Sequence, residues 1–155
     1  FTTVPFWFFQ DSMSAPFTYH RLVTDIGLVQ KNAFQADIED TLHALNDFFP
    51  PAPSLIGKIA GTISSLNCVL IICEIAPMGI LVAKEARVPS VLVENFTWDW
   101  IFEPMLADDP RAEECLAFIR SGYGRMSALL RLPFGLLHVL LRRMCGGYHS
   151  LCRQC

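Results

Sequence analysis

The sequence predicts an α/β fold with a parallel sheet, and three observations lead to that prediction. Two short apolar runs, "CVLIIC" (residues 68–73) and "PSVLVE" (residues 89–94), are typical of strands that are buried on both faces. The stretch between them, "APMGILVAKEARV", has a helical pattern. A strand, a helix and a second strand within 27 residues indicate a right-handed βαβ crossover, which joins parallel strands.

The other elements are predicted from local patterns. The opening "FTTVPFWFF" is rich in strand-forming aromatics, and "TDIGLVQ" (residues 24–30) predicts a short strand. Apolar residues recur at i, i+4, i+7 and i+11 from Ile38, which predicts a helix. "PPAPS" ends that helix, and Ser54 is predicted to cap the next one, "LIGKIAGTISSLN". Pro77 is expected in the first turn of the crossover helix.

The composition indicates a large buried fraction, an uncovered interface, or a piece that lacks a partner domain. Of the 155 residues, 52% are hydrophobic and 17% are charged, against about 25% charged in a typical soluble domain. We interpret the chain as part of a longer protein. Cys68 and Cys73 flank an apolar run and are expected to be small buried hydrophobes. Because nothing indicates secretion, the even number of cysteines is a poor signal for disulfides, and we expect a reducing cytoplasm.

The charge is unevenly distributed along the chain. Residues 1–110 carry 5 Lys/Arg against 13 Asp/Glu, and residues 111–155 carry 7 against 2. A basic, apolar tail is compatible with peripheral membrane contact, with a nucleic-acid surface, or with a stretch under different constraints. The apolar run "ALLRLPFGLLHVLL" is too short and too interrupted to cross a membrane. We predict possible peripheral membrane contact through this tail and no nucleic-acid partner.

A cluster of soft ligands lies in the same tail. Cys145, His149, Cys152 and Cys155 are close in sequence and are all zinc-ligand types. Their spacing is tighter than the spacings common in zinc sites. We therefore predict no metal site.

Two loops are predicted at the edge of the sheet where ligands bind, beyond the carboxyl ends of the strands. In "NFTWDW", Asn95 and Asp99 can bond sugar hydroxyls while Trp98 or Trp100 packs against the apolar face of a sugar ring. The alternative is that the tryptophans fill the core and Asp99 caps a helix that starts near Trp100. In "EIAP", Glu74 can bind a hydroxyl or simply cap the following helix.

A third candidate region is "YHRLVTDIG". Asp25 is a weaker candidate for ligand binding, and with His20 it can form a general-base pair, although a lone loop histidine is usually just solvated. Glycine-rich phosphate loops, metalloprotease helices and nucleophile elbows are absent from the sequence. The residues therefore predict a ligand site without a cofactor, and they assign no catalytic residue.

From "TVPFWFFQDS" through "DIGLVQKNAFQADIEDTL" to "NFTWDWIFEP", the sequence resembles a known family. It resembles the N-terminal domain of bacterial GT-B-type glycosyltransferase-like proteins, a domain also fused ahead of the kinase in plant L-arabinokinases. The resemblance covers about residues 2–104. It departs from the family at Glu74, where the family tends to carry Asp, and it lacks the family's first strand and Gly/His-rich loop.

The resemblance implies the N-terminal half of a GT-B fold, with a Rossmann-like sheet on the acceptor side of a cleft. Residues 1–104 would form this partial domain, and residues 105–155 a helical, basic, cysteine-rich tail of uncertain status. The complete protein would move a sugar from a nucleotide-sugar donor, bound by a C-terminal domain, to a sugar or glycosylated acceptor. This chain alone would be inactive. The alternative is a non-catalytic sugar-sensing or regulatory domain that acts with a sugar kinase.

Overall fold

A computed structural model describes residues 1–131 and 138–140 of the chain. Its helices are α1 (Phe6–Ser12), α2 (Ile38–Phe48), α3 (Pro53–Ser65), α4 (Pro77–Ala86), α5 (Trp98–Leu106) and α6 (Glu113–Tyr123), with a 3-10 turn at Pro110–Ala112. Its strands are β1 (Gln30–Asn32), β2 (Gln35–Ala36), β3 (Ile71–Glu74), β4 (Ser90–Glu94), β5 (Ala128–Arg131) and β6 (His138–Leu140).

The main sheet has the order β3-β4-β5-β6, and its first three strands are parallel. The register places Cys73 beside Leu92 and Leu92 beside Leu129. The last strand, β6, pairs antiparallel with β5. This confirms the predicted Rossmann-like α/β fold with a parallel sheet, while its assignment to half of a GT-B fold stays a prediction.

The predicted βαβ crossover is the centre of the fold. Strands β3 and β4 flank α4, whose first residue is Pro77, as expected for a proline that needs no N–H partner there. Helix α4 ends where Arg87 adopts a left-handed conformation, with φ of 58°. Ile80 is buried in one apolar cluster with Cys73 of β3 and Leu92 of β4, so the helix packs on the sheet through this side chain.

The structure corrects the prediction for the aromatic N-terminus, which forms helix α1 instead of a strand. Pro5, with φ of −58°, precedes the first turn, where a proline favours helix initiation. Phe6 and Phe9 lie on one face of the helix, and both rings contact Phe17 and Tyr19. These contacts with a later segment override the strand propensity of the aromatics.

The strand predicted over residues 24–30 is also wrong, because only Gln30 belongs to a strand. The Asp25 side chain accepts a hydrogen bond from the N–H of Gly27 at 2.9 Å, and Gly27 has φ of 67°. Such a turn interrupts an extended chain. Ser54 does not cap α3 as predicted, since the helix begins one residue earlier, at Pro53, and has no side-chain cap.

The first predicted strand is shorter and less buried than its apolar sequence suggested. Of the residues in "CVLIIC", only Ile71, Ile72 and Cys73 lie in β3. Cys73 is buried, but Ile72 is 68% exposed and Val69 is 80% exposed. Ile72 and Cys73 point to opposite faces of the strand, so one face of β3 is covered and the other is exposed among the described residues.

Residues beyond 104 contribute to the same core as the residues before it. Helix α6 supplies Cys115, Leu116, Ile119 and Tyr123 to the main apolar cluster, which also contains Leu92 of β4. Strand β5 continues the parallel sheet beside β4, so this part of the chain is not only helical. The predicted division into residues 1–104 and 105–155 stays a prediction, because residues 132–137 and 141–155 lie outside the described residues.

Candidate functional site at the carboxyl edge of the sheet

Three loops meet at the carboxyl edge of the parallel strands. One contains Asp25 and Gly27, the second follows β3 at Glu74, and the third follows β4 at Asn95. Hydrogen bonds described below connect the first loop to the third and the second to the third. The structure therefore places the predicted residues on connected loops at the edge where α/β sheets bind ligands.

Asp25 and Trp98 form the first connection. The indole N–H of Trp98 donates to Oδ2 of Asp25 at 2.5 Å, across 73 residues of sequence. The other carboxylate oxygen, Oδ1, accepts the N–H of Gly27. A Cβ at Gly27 would lie 3.5 Å from the Trp98 ring, an ordinary contact distance, so glycine is favoured here by its φ of 67° and not by the nearby indole.

The electrostatics of Asp25 follow from this half-buried position. Burial raises the pKa of the Asp25 carboxyl above its ordinary value, and the hydrogen bonds from Trp98 and Gly27 oppose that rise without cancelling it. The carboxyl has two N–H donors already directed at it. These hydrogen bonds give Asp25 a structural role, because its carboxylate accepts from the indole and fixes the Trp98 side chain.

We expect the contribution of Asp25 to stability to fall as pH rises. Because its pKa is raised on folding, the folded protein binds the proton more tightly than the unfolded chain, so deprotonation favours unfolding. The free energy of unfolding of the native protein, relative to that of Asp25→Asn, should be highest near pH 4. It should decrease as pH rises through the raised pKa. Urea unfolding of both proteins from pH 4 to 7 measures this difference; an increase with pH would contradict the raised pKa.

Tyr123 forms the second connection, between the loops after β3 and β4. Its hydroxyl donates to the carbonyl of Ile75 at 2.6 Å and accepts the backbone N–H of Trp98 at 3.3 Å. Tyr123 is fully buried in the last turn of α6. Ile75 adopts a positive φ of 54°, a conformation that costs a β-branched residue about 1–3 kcal/mol, so the structure around it must hold it in place.

Trp98 is largely occupied by contacts within the protein. Its ring stacks on Phe102 with centroids 5.1 Å apart, and Phe96 approaches it edge-on at 5.6 Å. It packs against the main core, which fits the expectation that one tryptophan belongs to the core. Trp100, in contrast, is 67% exposed. A binding role for Trp98 stays a prediction, and Trp100 offers the more accessible ring.

The other predicted ligands differ in exposure. Glu74 and Asn95 are exposed at the ends of β3 and β4. Asp99 is half-buried in the first turn of α5, and its Oδ1 is buried without a hydrogen-bond partner among the described residues. It is not the cap of this helix, because α5 begins at Trp98 and its N-cap position is Thr97. These groups offer hydrogen-bonding atoms to hydroxyls at this edge, and their binding roles stay predictions.

The predicted general-base pair is not formed. His20 stacks on Phe1 with ring centroids 4.4 Å apart, and its Nε2 has no hydrogen-bond partner among the described residues. The carboxylate of Asp25 instead accepts from Trp98 and Gly27. Sequence proximity suggested this pair, but the chain turns at Gly27 and directs Asp25 to the indole.

The described part of the chain contains neither a reactive thiol at Cys73 nor a cluster of metal-ligand side chains. Burial raises the pKa of the Cys73 thiol to about 12, so Cys73 is a poor nucleophile. Among residues 1–131 and 138–140, no cluster of three or more His, Cys, Asp or Glu side chains could hold a metal ion. The sequence cluster of Cys145, His149, Cys152 and Cys155 lies outside the described residues.

Sequence reasoning missed Tyr123 entirely. It lies 25 residues from Trp98 and 48 residues from Ile75, outside every stretch that carries a recognisable motif. Its position on the apolar face of an amphipathic helix would indicate burial and no specific partner. A buried tyrosine needs a partner for its hydroxyl, and this requirement was the one available signal.

Comparison with known proteins gives one weak likeness. The chain is 24% identical over 135 residues to L-arabinokinase from Arabidopsis thaliana. The aligned region is 85% of this chain and 13% of that protein. The chain thus spans about an eighth of its relative's length. No protein-family model matches the chain, and no solved structure gives a significant match. The likeness supports the part of the predicted resemblance that concerns L-arabinokinases; the bacterial GT-B part stays a prediction.

None of the helices in the described residues combines the length and the apolar character that crossing a membrane requires.

Proposed function

We propose that this chain is a sugar-binding module, the acceptor side of a larger glycosyltransferase-like protein. The observation that carries the proposal is the set of connected loops at the carboxyl edge of the sheet. Glu74, Asn95 and Asp99 offer oxygen and amide groups there, and the bonds of Asp25 and Tyr123 hold their loops. Preorganised polar groups at a sheet edge suit a ligand rich in hydroxyls.

The exposed ring of Trp100 adds to this argument. It follows Asp99 in the first turn of α5 and is 67% exposed, so it offers an accessible apolar ring for the face of a sugar at this end of the helix. In the complete protein, a nucleotide-sugar donor would be bound by another domain, and transfer would take place between the two domains. Asn95, Asp99 and Glu74 would orient the acceptor in this cleft.

A second candidate function follows from the likeness to L-arabinokinase. The same sugar-binding edge would serve as a non-catalytic sensing or regulatory module that acts with a sugar kinase. This alternative requires that the module binds a free sugar. It needs neither a nucleotide-sugar donor nor a second domain for sugar transfer.

The proposal is tested by titrating the protein with L-arabinose, other free sugars and nucleotide-sugars while its backbone amides are observed by NMR. We expect shifts at residues 74, 95 and 99. Asn95→Ala and Asp99→Ala should weaken binding by about 3–10-fold each, since each removes one hydrogen bond. Asn46→Ala, an exposed position on α2 away from this edge, is the matched control.

The outcomes separate the candidates. Nucleotide-sugar binding and sugar transfer by the longer protein would support the transferase. Binding of free sugar that changes kinase activity, without transfer, would support the sensing module. If no sugar or nucleotide-sugar shifts the three amides, both forms of the proposal are wrong.

A further inference from the structure

A cavity of about 450 Å³ lies between the N-terminal segment and the edge strand β3. Phe9 and Phe17 line one side of it, Ile59 and Ile63 of α3 another, and Ile72 of β3 a third. Its volume falls in the range of roughly 300–1,000 Å³ that is typical of small-molecule sites. Ile72 is 68% exposed, so the cavity is accessible to solvent beside this side chain.

The cavity has a structural cause in the arrangement of its walls. Helix α3 packs against α4 through Ile59, Ala60 and Ile63, which contact Met78 and Val82 in a second apolar cluster. In the described sheet, β3 is the last strand on this side. The N-terminal segment, which contains α1, lies beside this edge, and the bridge between Thr2 and Arg21 joins its two ends.

The hydroxyl of Tyr19 closes the same segment, because it donates to the carbonyl of Val4 at 2.7 Å. The ring contacts of Phe9 with Phe17 and Tyr19 hold the aromatic wall together. The wall is therefore built from side chains that pack on one another. These side chains line the cavity without filling it.

The polarity of the lining indicates the kind of ligand. Most of the lining side chains are apolar, and Glu74 is the one carboxylate among them. The apolar side chains of the lining favour the apolar part of a ligand, because contact removes both surfaces from water. An ionised carboxylate only accepts hydrogen bonds, so the part of the ligand near Glu74 must donate them.

We propose that this cavity binds the apolar portion of an amphipathic ligand whose hydroxyl-bearing head group is held at Glu74. Only one part of this proposal rests on the function proposed above, namely that the head group is a sugar. The apolar portion would contact the isoleucines of α3 and β3, while the head group reaches the exposed carboxyl edge of the sheet. The acceptor class would then be a glycoside with an alkyl or aryl substituent.

The test uses three probes: methyl glucoside, octyl glucoside below its micelle concentration, and 1-hexanol. Methyl groups of isoleucine are labelled and observed by NMR. Octyl glucoside and hexanol should shift Ile59, Ile63 and Ile72, and should leave Ile38 and Ile119 unchanged. Octyl glucoside should bind at least about tenfold more tightly than methyl glucoside, because its chain is removed from water.

Variants locate the effect. Ile72→Asp places a charge in the cavity wall and should abolish the gain from the octyl chain. Val69→Asp is the matched control, since Val69 is more exposed and does not line the cavity. Glu74→Gln should weaken glucoside binding and leave hexanol binding unchanged.

The two proposals fail in different ways. The cavity proposal is wrong if neither hexanol nor octyl glucoside shifts the three isoleucines. It is also wrong if octyl glucoside still binds Ile72→Asp more tightly than methyl glucoside does. Both outcomes count against it even when methyl glucoside binds. If hexanol and octyl glucoside shift the three isoleucines but no sugar shifts the amides of residues 74, 95 and 99, the cavity binds the apolar portion of a ligand and the proposed sugar-binding function is wrong.

Discussion

Replacing Tyr123 by alanine should cost about 3–5 kcal/mol of unfolding free energy, the usual range for a buried aromatic. The side chain is fully buried in the main core, and its hydroxyl bridges Ile75 and Trp98. Tyr123→Phe keeps the ring and removes only the bridge. We expect it to cost about 1–3 kcal/mol, because the carbonyl of Ile75 loses its donor.

Urea unfolding measures both effects, and Tyr19→Phe is the matched control. The hydroxyl of Tyr19 also donates to a carbonyl, that of Val4, but this bond is exposed. Its loss should change stability by less than about 0.5 kcal/mol. If Tyr123→Phe proves as mild as Tyr19→Phe, the bridge between the two loops contributes nothing that water cannot replace.

Gly79→Ala should destabilise the fold by about 1–3 kcal/mol, the usual cost of overpacking. A Cβ at this position of α4 would lie 2.5 Å from the Sγ of Cys73, which is too close for two non-bonded atoms. Either the helix or strand β3 would have to move. In the background Cys73→Ala the sulfur is absent, and the cost of Gly79→Ala should fall, which is a test by double-mutant cycle.

Gly61→Ala is the control for this prediction. Gly61 also lies within a helix, α3, but a Cβ there would meet no atom within 4 Å. The substitution should stabilise the protein by about 0.5–1 kcal/mol, since alanine is the better helix former. Equal costs of Gly79→Ala with and without the Cys73 sulfur, measured by urea unfolding, would contradict the proposed contact.

The parts of the fold that the sequence predicted are those with local causes. The crossover from β3 through α4 to β4 was predicted from two apolar runs and the position of Pro77, because burial and helix initiation act over a few residues. Helix α2 followed from its apolar spacing, with Asp37 capping it through the N–H of Asp40. The placement of Glu74 and Asn95 at strand ends followed from the same patterns.

The parts that escaped prediction depend on contacts between distant residues. Helix α1 formed in a strand-like sequence because Phe6 and Phe9 pack against a later aromatic segment. The partner of Asp25 was the indole of Trp98, 73 residues away, rather than the neighbouring His20. Neither spacing nor propensity carries information about such partners.

The position of Tyr123 in the chain has a consequence for the order of folding during synthesis. Every predicted ligand lies between residues 25 and 99, yet the hydroxyl that ties two of their loops together comes from residue 123. A nascent chain that ends before this point would contain all the candidate ligands without the bridge between their loops. Since domains fold as their residues emerge from the ribosome, the candidate ligand edge would reach its final geometry only after α6 has left the exit tunnel.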